Sequence, residues 1–446
     1  MKRLLFVLLI ALLALGAGAT LAQEDVDPSG QTIVYWHQYS EGSSQGDTIA
    51  QLVEEFNSTN EWGITVEALF QGSYNELRDL MNAAIISGEL PNLVAGFNND
   101  AASYARDGVV VDLNQFFEDP TWGFSEEERT AFRQEVLDAN VVDGFFLAWP
   151  NQISANMLSV NLTMIETLNE MGLIDFTGAP ETFEQFKALA CAAANSGLTG
   201  AEGAAVQGYP IKADASNLES YIASFGGTIF DFEEGRYDFT TDAAISALQF
   251  YADLYSEGCA YIPDSRFGNT DDFALGLNPM ALGSSAGLPF IQRGFENSGV
   301  EAEWIMTTTP WTDGNRSLNV FFPSIIMIEG TPEQNLASWL FLKFLAERDA
   351  QELWSRNTGY FAVNLDAMAA ISADESVDPL LANNIATFSN PEINIYVSPA
   401  VESYGAIRGL LSQAVADVTS NGMDVEEVAE RLTEEANEVH QDLVGD

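Results

Sequence analysis

The first hundred residues alternate between strand and helix patterns, and this alternation restricts the fold more than any other feature. Thr32–Trp36 is a short apolar run, typical of a strand buried on both faces. Asp47–Phe56 carries apolar residues at helical spacing, and Ile64–Phe70 alternates like a strand. A second helical pattern, Leu77–Ile85, leads to the apolar Asn92–Phe97. Strands and helices in this order, joined by short links, predict parallel βαβ units and the α/β fold class.

The segment in front of these elements has the pattern of a secretory signal peptide. In Met1–Ala22, Lys2 and Arg3 precede an apolar core, and small residues precede the expected cleavage after Ala22. No Cys follows that core, so we expect no lipid anchor. A polar leader occupies residues 23–30, and no later uncharged apolar run is long enough to span a membrane. We expect export to the periplasm or the extracellular side of the cell envelope.

The length and charge of the chain limit its architecture and its partners. Removal of the expected signal peptide would leave about 424 residues. This is too many for one hydrophobic core, so we expect two lobes. The 66 acidic and 17 basic residues give a net charge of −49, which disfavours nucleic acids and anionic membranes as partners. This acidic, lysine-poor composition favours adaptation to high salt over a functional acidic patch.

Cysteine and histidine usage bears on redox and metal chemistry. Cys191 and Cys259 are the chain's two cysteines. In an exported chain they favour one disulfide, with two buried free thiols as the alternative. The two histidines, two distant cysteines and lack of a calcium-loop pattern predict no metal site. No cofactor motif is found.

One motif raises the alternative of an enzyme. Gly283–Gly287 matches the G-x-S-x-G turn of serine hydrolases. A triad in such folds needs a histidine after the serine, and His440 alone follows it, in a strongly acidic helical segment. We therefore interpret these five residues as a turn whose N–H groups meet ligand oxygens. A secreted hydrolase acting on glycans or esters remains the alternative to a binding protein.

Aromatic residues recur in the loops that follow predicted strands. Rings stack on sugar faces, and the carboxyl ends of strands are where open α/β sheets bind ligands. The aromatic candidates at such positions are Trp36, His37, Tyr39, Tyr74, Trp149, Phe225, Phe322, Tyr360 and Tyr404.

Short motifs follow one another along the mature chain in a characteristic order: Trp36-His37, Gly72-Ser73-Tyr74, Gly88–Pro91, Trp149-Pro150, Met280–Leu288 and Asn357–Asn364. Their order and spacing resemble the family 1 extracellular solute-binding proteins of ABC importers. The resemblance covers essentially the whole mature chain. It is strongest to the branch that binds glycerol 3-phosphate and sugars.

The resemblance implies a type II periplasmic-binding-protein fold. Its two α/β lobes, each a mostly parallel sheet flanked by helices, would be joined by three crossover segments and hold the ligand between them. The expected lobes are residues 31–149 with 288–346, and residues 150–287 with 347–446. The crossovers are expected near Trp149–Ser154, Leu282–Leu288 and Glu347–Gln351.

The same resemblance implies a monomeric, non-enzymatic protein that captures a sugar, an oligosaccharide or a glycerol phosphate and delivers it to a membrane permease. It assigns ligand contacts to Tyr74, Ser154, Ser284 or Ser285, Tyr360 and Arg408. Asn98 stands where the branch has a glutamate, and Phe322 where it has a glycine. With the strand-end aromatics, the expected ligand-binding set is Trp36, Tyr39, Tyr74, Asn98, Trp149, Ser154, Phe225, Ser284, Ser285, Phe322, Tyr360 and Arg408.

Overall fold

The computed structural model describes residues 26–265 and 267–444, so the expected signal peptide Met1–Ala22 lies outside the described residues. Two hydrophobic cores and two five-stranded sheets form within them. The first core covers the first sheet and one face of the second sheet, and the second core covers the other face of the second sheet. No helix in this part of the chain is both long and apolar enough to cross a membrane.

The strands of the described residues form two five-stranded sheets and several two-stranded pairs. They are β1 (Thr32–His37), β2 (Thr65–Phe70), β3 (Leu93–Gly96), β4 (Val141–Val142), β5 (Phe145–Phe146), β6 (Trp149–Pro150), β7 (Ser154–Asn161), β8 (Tyr209–Pro210), β9 (Phe230–Asp231), β10 (Arg236–Tyr237), β11 (Ala260–Tyr261), β12 (Met280–Ser284), β13 (Trp304–Thr307), β14 (Ser317–Phe321), β15 (Ser324–Met327) and β16 (Asn394–Tyr396).

The α-helices flank these sheets. They are α1 (Ser44–Thr59), α2 (Tyr74–Ser87), α3 (Asn98–Arg106), α4 (Asn114–Phe117), α5 (Glu126–Arg129), α6 (Gln134–Asp138), α7 (Leu162–Glu170), α8 (Phe183–Asn195), α9 (Ala215–Ser224), α10 (Asp242–Ser256), α11 (Gly268–Ala274), α12 (Leu288–Ser298), α13 (Pro332–Ala346), α14 (Arg348–Thr358), α15 (Leu365–Ala373), α16 (Pro379–Phe388), α17 (Tyr404–Val418) and α18 (Val425–Val444).

The first sheet confirms the βαβ units read from the sequence. Its order is β2-β1-β3-β15-β6, with β1 parallel to both β2 and β3. Ser43 caps α1 by accepting a hydrogen bond from the Gly46 N–H, and the helix buries Ile49, Leu52 and Phe56 against the sheet. The first three strands therefore end at one edge, where their loops meet.

The second sheet corrects the expectation of a mostly parallel arrangement. Its order is β12-β7-β14-β16, with β13 also on β7, and β7 is antiparallel to β12, β13 and β14. The reason is the path of the chain. Strand β7 enters this lobe from the first sheet and β14 returns to it, so the two must run in opposite directions. All eight residues of β7 are buried, as expected for a strand covered on both faces.

The division of the chain between the sheets differs from the expected lobes. Strands β13 and β14 pair in the second sheet, although residues 288–346 were expected in the N-terminal lobe. Trp354 on α14 packs on Tyr39, just after β1 of the first sheet, with the ring centres 4.9 Å apart, although residues 347–446 were expected in the C-terminal lobe. The strands show the chain passing between the sheets at 150–154 and again at 321–324, and α16 packs on β13 of the second sheet. The lobe boundaries themselves stay a prediction.

A disulfide joins Cys191 on α8 to Cys259 after α10, 68 residues further along the chain, as the sequence favoured. The same place holds the cluster of potential metal ligands found among the described residues, Cys191, Glu257 and Cys259. Both of its sulfur atoms belong to the disulfide, so neither is a free thiolate.

We expect the double variant Cys191→Ser/Cys259→Ser to unfold more easily than the wild type. Losing a crosslink that closes a loop of this length lowers the free energy of unfolding by roughly 4 kcal/mol in the chain-entropy model. Urea unfolding of the two proteins, followed by circular dichroism, measures the difference. Equal stabilities, or a non-reduced wild-type mass equal to that of the dithiol, would contradict the bond.

Strand β1 ends at His37, whose side chain is 5% exposed. Its Nδ1 accepts a hydrogen bond from the Tyr39 N–H, which leaves the neutral ring protonated on the other nitrogen. Burial lowers the pKa of His37 from 6.5 to about 4, because the charged ring would lose its hydration.

This burial predicts a loss of stability in acid. Between pH 6.5 and about 4 the unfolded chain binds a proton at His37 that the folded chain does not bind. The free energy of unfolding therefore decreases as the pH is lowered across this window, by up to about 3 kcal/mol from this group alone. We expect His37→Gln and His37→Asn to flatten the slope equally. Urea unfolding at pH 7.0, 6.0, 5.0 and 4.5 tests this, and slopes equal to that of the wild type would refute it.

A cleft between the two lobes as the candidate functional site

A cavity of about 1080 Å³ lies between the two sheets, at the carboxyl ends of the first strands. Its first wall comes from the loops after β1 and β3 and from α2. Its second wall comes from β7, the start of α9, the end of β12 and α17. Ligands of open α/β sheets bind at this edge. The cavity therefore lies where the resemblance places a captured solute.

The base of the cleft is a two-stranded ribbon that joins the lobes. Phe321 of β14 pairs with Ser154 of β7, and Ser324 of β15 pairs with Pro150 of β6, all antiparallel. Between these pairs the Asn151 N–H donates to the Pro323 carbonyl at 3.3 Å. Phe321, Ser154 and Pro323 line the cavity, so the connection between the lobes is also the floor of the site.

Tyr74 and Arg78 dominate the first wall. Ser73 and Glu76 form a capping box that starts α2 and sets Tyr74 at its first position. The Tyr74 hydroxyl accepts a hydrogen bond from Gln38 Nε2 at 2.8 Å. One turn further, Arg78 Nε donates to the buried carboxylate of Asp100 at 2.7 Å. The wall thus presents a phenol ring beside an arginine whose charge is already paired.

Amide and hydroxyl groups line the second wall. Asn156 on β7 donates from Nδ2 to Asn217 Oδ1 at 2.9 Å and to Ser220 Oγ at 3.0 Å. Asp214 caps α9 by accepting from the Ser216 N–H, so this helix starts at the cavity. Positions on a strand and a capped helix hold these polar groups in fixed directions.

Arg408 on α17 is fixed by three partners on this wall. Its Nη1 donates to the Tyr404 hydroxyl at 2.6 Å, its Nη2 donates to Ser216 Oγ at 3.1 Å, and the Asp214 carboxylate lies 3.8 Å away. Behind them the Tyr404 hydroxyl donates to the buried Glu219 carboxylate. Burial raises the pKa of Glu219, while the hydrogen bond from Tyr404 and the charge of Arg408 act in the opposite direction.

Tyr360 reaches the cleft from a tight turn after α14. Gly359 ends that helix with a φ of +75°, in the left-handed region that favours glycine. A Cβ there would lie 3.3 Å from Leu288, Pro289 and the Ser285 carbonyl, so the turn also leaves no room for a side chain. Burial raises the pKa of the Tyr360, Tyr74 and Tyr404 phenols. All three hydroxyls are therefore neutral. Those of Tyr74 and Tyr360 can donate a hydrogen bond to a ligand, whereas the Tyr404 hydrogen is already donated to Glu219.

Seven of the residues expected to bind ligand line this cavity, and all seven lie near its base or on its two walls. They are Tyr74, Asn98, Ser154, Ser284, Phe322, Tyr360 and Arg408. Their roles as ligand contacts stay a prediction, now with a shared location.

The structure places the other five expected contacts outside the cleft. Trp149 is fully buried in an aromatic cluster with Phe124, Phe132 and Trp339. It was expected in a loop after a strand, but it begins β6 and its ring is enclosed in the core of the first lobe.

Each of the remaining four has a local reason to lie elsewhere. Ser285 is 0% exposed and its Oγ accepts from the Ala155 N–H at 3.1 Å. Tyr39 lines a separate cavity beside α1 and donates to Gln152 at 3.1 Å. Phe225 stacks on Phe183 at 3.9 Å, and Trp36 packs against the first core.

Sequence reasoning missed several polar residues of the cleft: Arg78, Asn156, Lys212, Asp214, Ser216 and Asn217. Most of them belong to the first turns of helices or the segments just before them. Lys212 was detectable as one of very few lysines in the chain. The others carry no sequence signal, because helix caps and surface arginines are common everywhere.

The geometry does not assemble a hydrolase from the G-x-S-x-G turn. Ser285 is buried in the hinge region, and its oxygen already accepts a backbone hydrogen bond. His440 lies in the second lobe, where its Nδ1 is 2.8 Å from Ser403 Oγ and its ring packs on Phe230 and Tyr237. The nucleophile and base of the enzyme alternative thus have other partners.

Comparison with solved structures supports the two-lobed fold. The GacH receptor of Streptomyces glaucescens aligns with a TM-score of 0.75 at 16% identity, over 92% of this chain and 99% of that one. UgpB from Mycobacterium tuberculosis aligns with a TM-score of 0.74 at 18% identity, over 93% and 100%. The cyclic alpha-maltosyl-1,6-maltose binding protein from Arthrobacter globiformis gives 0.73 at 18%, over 92% and 99%. These likenesses confirm the expected periplasmic-binding-protein fold.

The sequence itself also matches a known family. No curated protein matched the chain at a significant level. Residues 51–383 match the family model for bacterial extracellular solute-binding proteins, a span that includes β6, β7, β14 and β15 of the hinge ribbon and part of each wall of the cleft. This chain belongs to the bacterial extracellular solute-binding protein family, which binds solutes and is not a family of enzymes.

Proposed function

We propose that this chain captures a carbohydrate or a glycerol-phosphate-type solute between its lobes and delivers it to the permease of an ABC importer. The observation that carries this proposal is the cavity of about 1080 Å³ whose walls come from both lobes. Its volume is slightly above the range of roughly 300–1,000 Å³ found for small-molecule sites. That size suits a solute of one to several sugar rings.

The chemistry of the lining supports a polyhydroxyl ligand. Hydroxyl groups of Ser154 and Ser284 and amides of Asn98, Asn156 and Asn217 both donate and accept hydrogen bonds, as sugar hydroxyls do. The rings of Tyr74, Phe97, Phe321, Phe322 and Tyr360 provide apolar faces on which sugar rings stack.

The structural neighbours support the same ligand classes. The GacH receptor was solved in complex with acarbose, and UgpB from Mycobacterium tuberculosis in complex with glycerophosphocholine. The neighbour from Arthrobacter globiformis is described as a binding protein for a cyclic maltosyl-maltose. We therefore propose ligands of these classes for this chain.

Hinge closure around the solute is the mechanism that the geometry favours. At one end of the cleft, Arg106 on α3 donates to Glu402, just before α17, at 2.7 Å. This ion pair is partly exposed, so it contributes at most about 1 kcal/mol to closure. A ligand that contacts both walls would therefore supply most of the preference for the closed state.

Export and partner choice complete the proposal. The signal-peptide pattern of Met1–Ala22 and the family both favour a location outside the cytoplasmic membrane, in the periplasm or at the cell surface. We infer a monomer, because two lobes of one chain enclose the cleft. The closed form would present both lobes to the permease, whereas the net charge of −49 disfavours nucleic acid as a partner.

We expect a member of one of two ligand classes, uncharged sugars or glycerol phosphates, to raise the melting temperature of residues 23–446 by several degrees. A ligand that binds only the folded state stabilises that state. Differential scanning fluorimetry against both classes measures this. Tyr360→Ala should then weaken that ligand at least tenfold, about 1.4 kcal/mol.

Tyr255→Ala is the matched control, since Tyr255 packs on the second core and does not line the cleft. We expect it to bind the ligand as the wild type does. No shift with any member of either class would contradict the proposed solute. Equal affinities for Tyr360→Ala and the wild type would remove Tyr360 from the site.

A further inference from the structure

A buried carboxylate stands behind the cleft arginine of the second lobe. Glu219 on α9 is 0% exposed. One of its oxygens accepts from the Tyr404 hydroxyl and the other accepts from the Tyr396 hydroxyl at 3.2 Å. Burying an ionised carboxylate costs free energy unless hydrogen bonds and a nearby positive charge compensate it. The two phenols supply the hydrogen bonds to Glu219, so a positive charge must be sought nearby.

The compensating charge comes from Arg408 through a relay. Arg408 donates to the Tyr404 oxygen, which leaves the Tyr404 hydrogen to be donated to Glu219. Ser398 Oγ lies 3.0 Å from the same hydroxyl. Two phenols that donate to separate oxygens fit an ionised acceptor. Asp214 faces Arg408 at 3.8 Å on its other side, so one cation meets two carboxylates.

The first wall repeats this arrangement. Arg78 pairs with Asp100 at 2.7 Å, and Asp100 is 4% exposed. Lys212 also lines the cavity, and no ion pair to it is found in the described part of the chain; its ammonium group lies 5.9 Å from the Phe267 ring centre. The lining holds three cations, Arg78, Lys212 and Arg408, and three carboxylates, Glu76, Asp79 and Asp214, and two more carboxylates, Asp100 and Glu219, lie directly behind it.

This charge balance discriminates between the two ligand classes of the proposed function. A phosphate ester carries a charge of about −1.5 to −2 at neutral pH. To be gripped by Arg408 it would have to approach Asp214 and weaken the relay to Glu219. A sugar hydroxyl can accept from the guanidinium and donate to the carboxylate at the same time, so it fits the pair as it stands.

We infer that Glu219 and Asp214 cancel the charge of Arg408, so that the cleft binds an uncharged polyhydroxyl solute and rejects its phosphorylated counterpart. Glu219 acts as a positioning and specificity-determining residue, because it acts through Tyr404 and does not itself line the cavity. The inference rests on the proposed function for its ligand class. Its electrostatic core is testable with phosphate probes alone.

The experiment is isothermal titration calorimetry at pH 7.5 and fixed ionic strength. The probes are glycerol 3-phosphate, inorganic phosphate and glycerophosphocholine, with glucose, maltose and maltotriose as uncharged ligands. The proteins are the wild type, Glu219→Gln, Asp214→Asn and the control Asp417→Asn. Asp417 is buried and paired with Arg431 on the same lobe but does not line the cleft, so its variant changes the net charge equally.

We expect Glu219→Gln and Asp214→Asn to bind glycerol 3-phosphate and inorganic phosphate at least tenfold more tightly than the wild type. Asp417→Asn should bind as the wild type does. Adding Arg408→Gln to Glu219→Gln should abolish the gain, which would locate it at this arginine. If Glu219→Gln fails to fold, Asp214→Asn carries the test, because asparagine also caps helices and the side chain is 32% exposed.

Micromolar binding of glycerol 3-phosphate or glycerophosphocholine by the wild type would overturn the inference and leave the proposed function standing. No gain in either single variant would also overturn it, since a merely structural Glu219 would not change phosphate affinity. A gain in the variants while the wild type binds no sugar would uphold the inference and count against the proposed solute class. A wild type that binds a sugar, with phosphate gained in the variants, supports both.

Discussion

The antiparallel ribbon between the lobes is the constraint on which the rest of the structure depends. Strands β6 and β7 carry the chain outward, β14 and β15 carry it back, and the two paths stay hydrogen-bonded on both sides of the crossing. Because each end belongs to a sheet of fixed register, the ribbon can bend but cannot slide. The ribbon therefore sets the two walls of the cleft opposite each other, and the residues at the crossing form its floor.

This constraint also explains why the recognition groups lie on regular elements. Asn156 is on β7, Tyr74 and Arg78 are on α2, and Arg408 is on α17. In the proposed hinge closure each of these elements would move as a rigid body, so hydrogen bonds within one wall would persist while contacts across the cleft form and break. The ligand then meets groups whose orientation is already fixed, which lowers the entropic cost of binding.

The sequence was sufficient for the features encoded by local patterns. The βαβ start followed from residues that are neighbours in the chain, the disulfide from the presence of two cysteines in a chain expected to be exported, and the family from the order of motifs. The membership of β13 and β14 in the second sheet did not, because an apolar strand gives no sign of its partner until pairing with β7 is seen. The position of Trp149 could not be predicted for a related reason. An aromatic residue beside a strand fits a binding site and a hydrophobic core equally well, and its place in the core is seen only from its contacts with Phe124 and Trp339.

The acidity of the chain gives the paired arginines of the cleft a wider meaning. With 66 acidic and 17 basic residues, carboxylates outnumber cations everywhere, so an arginine that stayed unpaired in a cleft would be the exception. Pairing Arg78 and Arg408 with buried or half-buried carboxylates holds their donors in place without a net positive field. Long-range attraction of an anion would in any case be weakened by salt, whereas direct hydrogen bonds to hydroxyls depend little on ionic strength. If the acidity is an adaptation to salt, as the composition favours, the proposed site of neutralised arginines, amides and phenols would keep its hydrogen bonds in that medium.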